Sequence, residues 1–251
     1  MPNILTVKDL KKVYDDVPAV DGISFNVKRG EIFGILGPNG AGKTTTLEMI
    51  ETLRPIDGGS ITIDGLDVAK QPEAVKRIIG VQPQSPAFQN KQKAKEIIEM
   101  FAAAYGEKVD PIEFLDDVQL REKANAYAED LSGGQRQRLS IAAALVHRPK
   151  VFFLDEPTTG IDPQARRNLW DLIREVRDKG VTVIMTTHYL DEAELLCDRV
   201  AIMDHGKIIA LDTPKKLIKQ LLDRGFKKEV RVEQANLEDV FIDLTGRGLR
   251  D

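Results

Sequence analysis

Apolar and polar positions alternate from the start of the chain. The alternation predicts β structure across residues 4–36. Ile4 to Val7 and Ile23 to Val27 alternate, and Glu31 to Leu36 reads as a buried strand. Gly22 and Arg29-Gly30 mark the turns between them. The period then lengthens. Leu47, Ile50 and Leu53 share one face of a helix predicted over 42–53. Asp57-Gly58-Gly59 reads as a turn and Ser60 to Asp64 as another alternating strand. From about residue 87 the pattern becomes helical, with helices predicted over Lys95 to Tyr105, Pro111 to Val118 and Gln135 to His147. The block 87–147 therefore reads as a helical insertion in an α/β domain. After it, Val151 to Leu154 and Val181 to Met185 are unbroken apolar runs, as expected of strands covered on both faces. A helix over 164–178 separates them, so the two strands should pair in parallel. Arg199 to Met203 and Lys207 to Leu211 flank Asp204-His205-Gly206, a hairpin signal. Residues 214–251 read as a helix, a charged strand-like piece and a short tail.

Composition narrows the class. The chain has 251 residues, of which 42% are hydrophobic and 30% charged, enough for one large α/β domain or one with an inserted subdomain. The net charge of −4 gives no sign of the basic face that a general nucleic-acid binder carries, so no nucleic-acid partner is expected. Cys197 is the single cysteine. It excludes a disulfide scaffold within the chain and fits a reducing cytosol. Its place in Leu195-Leu196-Cys197 marks it as a small core residue. The first residues show no apolar leader with a cleavage site, and no run approaches the roughly 18 apolar residues of a membrane span. Any membrane role must come through a partner.

Candidate chemistry begins at Gly37-Pro38-Asn39-Gly40-Ala41-Gly42-Lys43-Thr44, followed by Thr45. The run fits G-x-x-x-x-G-K-[ST], with a strand before it and a helix after. Its glycines let successive backbone N–H groups turn toward phosphate oxygens, and the helix N-terminus adds positive dipole. Lys43 supplies charge for the β- and γ-phosphates, and the Thr44 hydroxyl can ligate Mg²⁺. Asp155-Glu156 ends the apolar run Val151 to Leu154. At a buried strand's carboxyl end, Asp155 can hold Mg²⁺, and Glu156 can accept a proton from an attacking water.

Leu131-Ser132-Gly133-Gly134-Gln135 opens a helix. With this pentapeptide the chain resembles the ABC-transporter ATPases over almost its whole length. The resemblance implies an α/β P-loop NTPase fold of the ABC ATPase type. It has a mixed-sheet core, an N-terminal antiparallel β-subdomain and an inserted helical subdomain. On this chain the RecA-like core with its β-subdomain would span 1–86 and 148–213. The helical, signature-bearing subdomain would span 87–147, and a short extension 214–251. In the family, Ser132, Gly133, Gly134 and Gln135 form a second anion cradle that closes on nucleotide held by the other subunit. Two chains would then make a head-to-tail homodimer, or a dimer with a paralogous subunit, with two composite ATP sites.

Other positions follow from the same resemblance. Tyr14 sits where an aromatic ring stacks on adenine, and Gln84 where a glutamine senses Mg²⁺ and the attacking water. Gly160-Ile161-Asp162 matches the loop that crosses the dimer interface, with isoleucine in place of the usual leucine. His188 matches the histidine that bonds the γ-phosphate; His147 and His205 have no such support. The implied catalytic set is thus Glu156, His188, Gln84 and Lys43, with Thr44, Gln84 and Asp155 around Mg²⁺.

Thr187 to Glu194 and the ending Asn236 to Arg247 are similar to ATPase subunits of bacterial two-component exporters of the daunorubicin-resistance and lipooligosaccharide-export types. This implies a separate transmembrane permease and a cytoplasmic ATPase peripheral to the inner face of the cell membrane. A soluble ABC ATPase acting on ribosomes, DNA or Fe–S assembly is the other reading. A single ATPase core and no clamp or coiled-coil insertion argue against it. Two departures stand out. Gln92-Lys93-Ala94-Lys95-Glu96 replaces a Leu-Thr-Val-Arg-Glu-like helix start at the surface that faces the permease. The stretch from Lys215 to Asn236 is short, which argues against a full C-terminal regulatory domain.

Overall fold

The computed structural model describes residues 2–84, 88, 89 and 91–226. The chain divides into two compact units, Met1–Leu217 and Ile218–Asp251. Of the second, residues 218–226 are described, and they carry the end of α8 (Pro214–Asp223). The charged strand-like piece and tail expected beyond it, including Asn236 to Arg247, lie outside the described residues.

The first unit opens with a long hairpin, β1 (Asn3–Tyr14) and β2 (Val17–Lys28). Its two-residue loop, Asp15-Asp16, has both residues at positive φ, 45° and 64°. That is the backbone a tight hairpin needs, met here by two aspartates in place of the usual Asn-Gly. β4 (Gly58–Ile63) and β5 (Leu66–Asp67) complete an antiparallel sheet in the order β2-β1-β4-β5. The expected turn at Gly58-Gly59 is corrected here: both residues already belong to β4. Gly59 has φ +85°, and a Cβ there would lie 2.3 Å from the Lys8 carbonyl oxygen. Glycine therefore marks a close strand approach beside a register shift in the β1–β4 pairing, not a chain reversal.

The second sheet is mixed, in the order β10-β9-β3-β8-β7-β6. It contains β3 (Ile32–Leu36), β6 (Ile79–Gln82), β7 (Val151–Asp155), β8 (Thr182–Thr187), β9 (Arg199–Asp204) and β10 (Lys207–Asp212). All neighbours are parallel except the β9–β10 hairpin. Its loop residues, His205 and Gly206, both have positive φ. The helix α6 (Pro163–Asp178) joins the parallel strands β7 and β8, as the apolar runs require.

Both faces of this sheet are covered. Phe33, Ile35, Phe153 and Ile184 pack with the antiparallel sheet and with α1 (Lys43–Ile50). Ile32, Phe152, Leu154 and Val183 pack with helices on the other side. Those helices include α3 (Ala94–Ala104), α4 (Pro111–Asp117), α5 (Gly133–Leu145), α6 and α7 (Leu190–Leu196). The short α2 (Pro72–Lys76) precedes β6. Cys197 is buried beside Gly34, where an added Cβ would lie 2.6 Å from its sulfur. Burial pushes its thiol pKa up, as suits an inert core residue. Among the described residues no helix is long and apolar enough to cross a membrane.

The helix predicted over 42–53 stops at Ile50. Leu53 N–H donates to the Glu48 carbonyl, and Thr52 N–H to that of Met49, a Schellman closure. Such a closure needs a left-handed residue, and Thr52 takes φ +68° despite its branched Cβ. Its hydroxyl is also buried without a hydrogen-bond partner. Thr52→Gly should therefore stabilise the protein by about 1 kcal/mol, since left-handed strain of roughly 1–2 kcal/mol outweighs the entropy glycine adds to the unfolded chain. Urea denaturation of the two proteins checks the sign; a lower midpoint for the glycine variant would refute the strain.

Candidate active site

The carboxyl ends of β3, β7 and β8 meet at one edge of the mixed sheet, where an α/β sheet places its ligands. The loop after β3 runs into α1. Its last residue before the helix, Gly42, has φ +98°, and a Cβ there would lie 2.3 Å from the Ala19 carbonyl oxygen. Only glycine satisfies both demands. The tip formed by Pro38, Asn39 and Gly40 is exposed, as is Thr44, while Gly37, Ala41 and Lys43 are buried and Thr45 is half-buried. The Lys43 ammonium folds back over the loop. It donates to the carbonyls of Gly37 at 2.9 Å and Pro38 at 3.2 Å, and pairs with the Glu156 carboxylate at 3.2 Å. The Thr44 hydroxyl lies 3.3 and 3.4 Å from the two oxygens of Asp155.

Glu156 follows β7 at φ +46°, an uncommon backbone state for glutamate and one often found at functional positions. Its N–H donates to the Thr186 hydroxyl at 3.0 Å, which holds this conformation. Around its carboxylate stand Lys43, His188 Nδ1 at 3.1 Å, the Gln84 amide at 3.3 Å and the Thr159 hydroxyl at 3.4 Å. Burial by itself would raise the Glu156 pKa. The Lys43 ammonium and the His188 ring outweigh it and hold the carboxyl below its ordinary value. Asp155 goes the other way: burial pushes it up, against the Thr186 and Thr44 hydroxyls.

Lys43, Thr44, Gln84, Asp155, Glu156 and His188 therefore share one cluster. Gly37 and Pro38 join it through their carbonyls, which accept from Lys43. Tyr14, Ser132, Gly133, Gly134, Gln135 and Asp162 do not join it through any hydrogen bond or ion pair among the described residues. Ser132 caps α5: its hydroxyl accepts from Gln135 N–H at 3.3 Å, and the Gln135 side chain accepts from Ser132 N–H at 2.9 Å. Ser132 and Gly133 are exposed, and Gly134 is half-buried. Asp162 caps α6, accepting from Gln164 N–H at 3.0 Å and Ala165 N–H at 2.9 Å. Tyr14 ends β1 with the Arg54 guanidinium 5.6 Å and the Lys12 ammonium 5.5 Å from its ring centre. His147 stacks on Tyr105 at 3.7 Å and lies 2.8 Å from the Ile79 carbonyl oxygen, away from the cluster. His205 is exposed in the β9–β10 loop.

Sequence reasoning missed two neighbours of this cluster. Thr186 bonds both the Asp155 carboxylate and the Glu156 N–H. Glu51, at the end of α1, is buried, and its carboxyl is pushed up to about 8 by that burial and by Asp155 and Glu48. The readable signals were a threonine pair closing an apolar strand before His188, and a glutamate on the inward side of α1.

The profile described as "ABC transporter" matches residues 20–159. The linearmycin resistance ATP-binding protein LnrL of Bacillus subtilis is 42% identical over 223 residues, 87% of this chain and 72% of that protein. The daunorubicin/doxorubicin resistance ATP-binding protein DrrA of Streptomyces peucetius is 42% identical over 234 residues, 91% of this chain and 71% of that protein. Among solved structures, an ATP-binding subunit of an ABC transporter superposes with a TM-score of 0.79 at 30% identity, covering 96% of this chain and 99% of that one. The chain belongs to the ABC transporter family. Within that family it is an ATP-binding subunit, an ATP-hydrolysing α/β protein.

Proposed function

We propose that the chain powers an exporter: two copies, or one copy and a paralogous subunit, enclose two ATP molecules head-to-tail and drive a separate membrane permease. One observation carries this reading. The phosphate loop, Asp155, Glu156, Gln84 and His188 converge within one chain, whereas the Ser132 helix start and Asp162 are exposed and bonded only to their own helices. A half-site of that kind is completed by a second copy, which brings its own Ser132 cradle to the γ-phosphate. The names of relatives support the direction of transport, since those proteins confer linearmycin and daunorubicin/doxorubicin resistance or belong to Nod factor export. The ATPase would sit on the inner face of the cell membrane through its permease. The core would comprise 1–86 and 148–213, the helical signature subdomain 87–147, and the extension 214–251.

Each residue has a task in this scheme. The backbone N–H groups of the loop from Asn39 to Thr45 and the Lys43 ammonium hold the phosphates, with Gly37 and Pro38 shaping the loop, and Tyr14 stacks on adenine. The donor set of Thr44 hydroxyl, Gln84 amide and Asp155 carboxylate fits Mg²⁺, which takes one or two carboxylates with phosphate oxygens and water. When bound, Mg²⁺ would neutralise charge on the phosphates. Glu156 takes the proton of the attacking water. His188, together with Ser132 and Asp162 of the second copy, orients and stabilises the γ-phosphate. Positioning and electrostatics supply the acceleration.

Mixing two inactive variants tests the composite site. Lys43→Ala breaks the phosphate loop and Ser132→Arg blocks the second cradle, but a mixed dimer retains one complete site. An equal mixture should regain roughly a quarter of the wild-type rate, because half the dimers are mixed and each has one site of two. The differently tagged pair should also be captured together from detergent-solubilised membranes with a polytopic partner. An inactive mixture would overturn the head-to-tail dimer, and recovery of ribosomes or nucleic acid would overturn the exporter.

A further inference from the structure

Two short segments must keep a fixed spacing for the site to work: the turn bearing His188 and the loop ending at Asp162. They leave different strands and are followed by different helices. His188 precedes α7, and Asp162 caps α6. Between those helices lies Glu192, a glutamate with 0% exposure. Its Oε1 accepts from the Trp170 indole N–H of α6 at 2.9 Å. Its Oε2 is buried without a hydrogen bond, as are Thr158 Oγ1 and Arg166 Nε nearby, although the Thr187 and Thr158 hydroxyls stand close enough to oppose the rise that burial gives the Glu192 pKa. Arg166 is also on α6. Its guanidinium lies 4.5 Å from the Tyr189 ring, and Tyr189 in turn stands 4.1 Å from the His188 ring.

A carboxylate with one oxygen lacking a hydrogen bond is a poor way to stabilise a core, because an apolar side chain of similar size would do as well or better. What the Trp170–Glu192 bond does supply is direction. It fixes the lateral placement of α6 against α7, about two turns into α6 and within the first turn of α7. The start of α6 also bears on the signature helix, since an added Cβ at Gly134 would lie 3.1 Å from the Ala165 methyl.

We propose that Glu192 is a positioning residue for ATP hydrolysis: through Trp170 it holds the Asp162 end of α6 in register with the His188 turn. The inference rests on the roles proposed above for His188 and Asp162. Glu192 touches neither the phosphate loop nor Lys43, so its loss should leave ATP binding intact. The cost should fall on turnover, where a displacement of about 1 Å is enough to matter.

The test compares steady-state hydrolysis, ATP affinity and thermal midpoint in five variants. Glu192→Ala should lower kcat about tenfold, with KM for ATP and ATP affinity within about twofold of wild type. Glu192→Gln keeps an oxygen for the Trp170 indole and should restore most of kcat. Trp170→Phe keeps the ring without the donor and should fall between them; it also serves if Glu192→Ala does not fold. Val176→Ala, on the far end of α6, controls for simple destabilisation and should lower the midpoint without lowering kcat at a temperature where the protein is folded. His188→Ala tests the underlying reading separately. Full activity in His188→Ala removes that reading and this inference with it. A slow His188→Ala beside a fast Glu192→Ala overturns the inference alone. So does a Glu192→Gln as slow as Glu192→Ala, or a parallel loss of kcat in Val176→Ala.

Discussion

Replacing Glu156 by glutamine should lower ATP turnover about a thousandfold while ATP still binds. The structure presents Glu156 as a base kept ready. Its carboxylate is mostly buried, yet Lys43 at 3.2 Å and His188 at 3.1 Å hold its pKa below the ordinary glutamate value. It is therefore ionised at neutral pH and able to take a proton. Glutamine is nearly isosteric. It can still accept from the Gln84 amide, which reaches Glu156 at 3.3 Å, so the loop should keep its shape. What it loses is the proton acceptor, which is worth about 10²–10⁴ in rate. ATP affinity should hold or rise. Lys43 must leave Glu156 to meet the phosphates, and glutamine removes that competitor. Single-turnover phosphate release and nucleotide binding, measured on the same preparation, separate the two effects. Turnover within a few fold of wild type would show that Glu156 is not the base. Parallel loss of binding would show instead that it anchors nucleotide.

What could be read from the chain and what could not divide along sequence separation. Gly37 to Thr44 declares itself because the phosphate cradle is made by consecutive backbone N–H groups and a helix start, all local. The strand Val151 to Leu154 announces burial on both faces, so the position of Asp155 and Glu156 at its end follows without coordinates. Other contacts join residues that lie far apart in the chain. Thr186 meets Asp155 only because β7 and β8 are neighbours in register, and Glu192 meets Trp170 only through the packing of α7 on α6. The sequence pattern shows the long β1–β2 hairpin only as shorter strands. Lys11 and Lys12 interrupt its alternation, and Lys12 is in fact tucked in against Asp57 at 2.8 Å. β6, only four residues long, has too few positions for a period to show.

Glu51 is the other position where a single oxygen-to-amide change should have a large effect, this time on stability. The carboxyl sits at the end of α1 with 5% exposure, and its pKa rises from 4.5 to about 8. Burial is the leading cause, followed by the like charges of Asp155 and Glu48. The sign follows from proton binding. Between pH 4.5 and 8 the folded protein holds a proton here that the unfolded chain has released. Folding is then favoured by protons, so this residue's destabilising effect is absent below about pH 4.5, grows as pH rises, and levels off above about 8. At 1.36 kcal/mol per unit, a shift of this size corresponds to about 3–5 kcal/mol at pH 8. Glu51→Gln keeps the shape and removes the titration. It should be more stable than wild type by about 3 kcal/mol at pH 8 and by under about 1 kcal/mol at pH 5. Urea midpoints at the two pH values, without nucleotide, give the comparison. An equal difference at both would mean that the change acts through packing and that Glu51 does not titrate in this range. A pH-dependent difference would place a third carboxyl beside Asp155, whose own ionisation should then become easier in the glutamine variant.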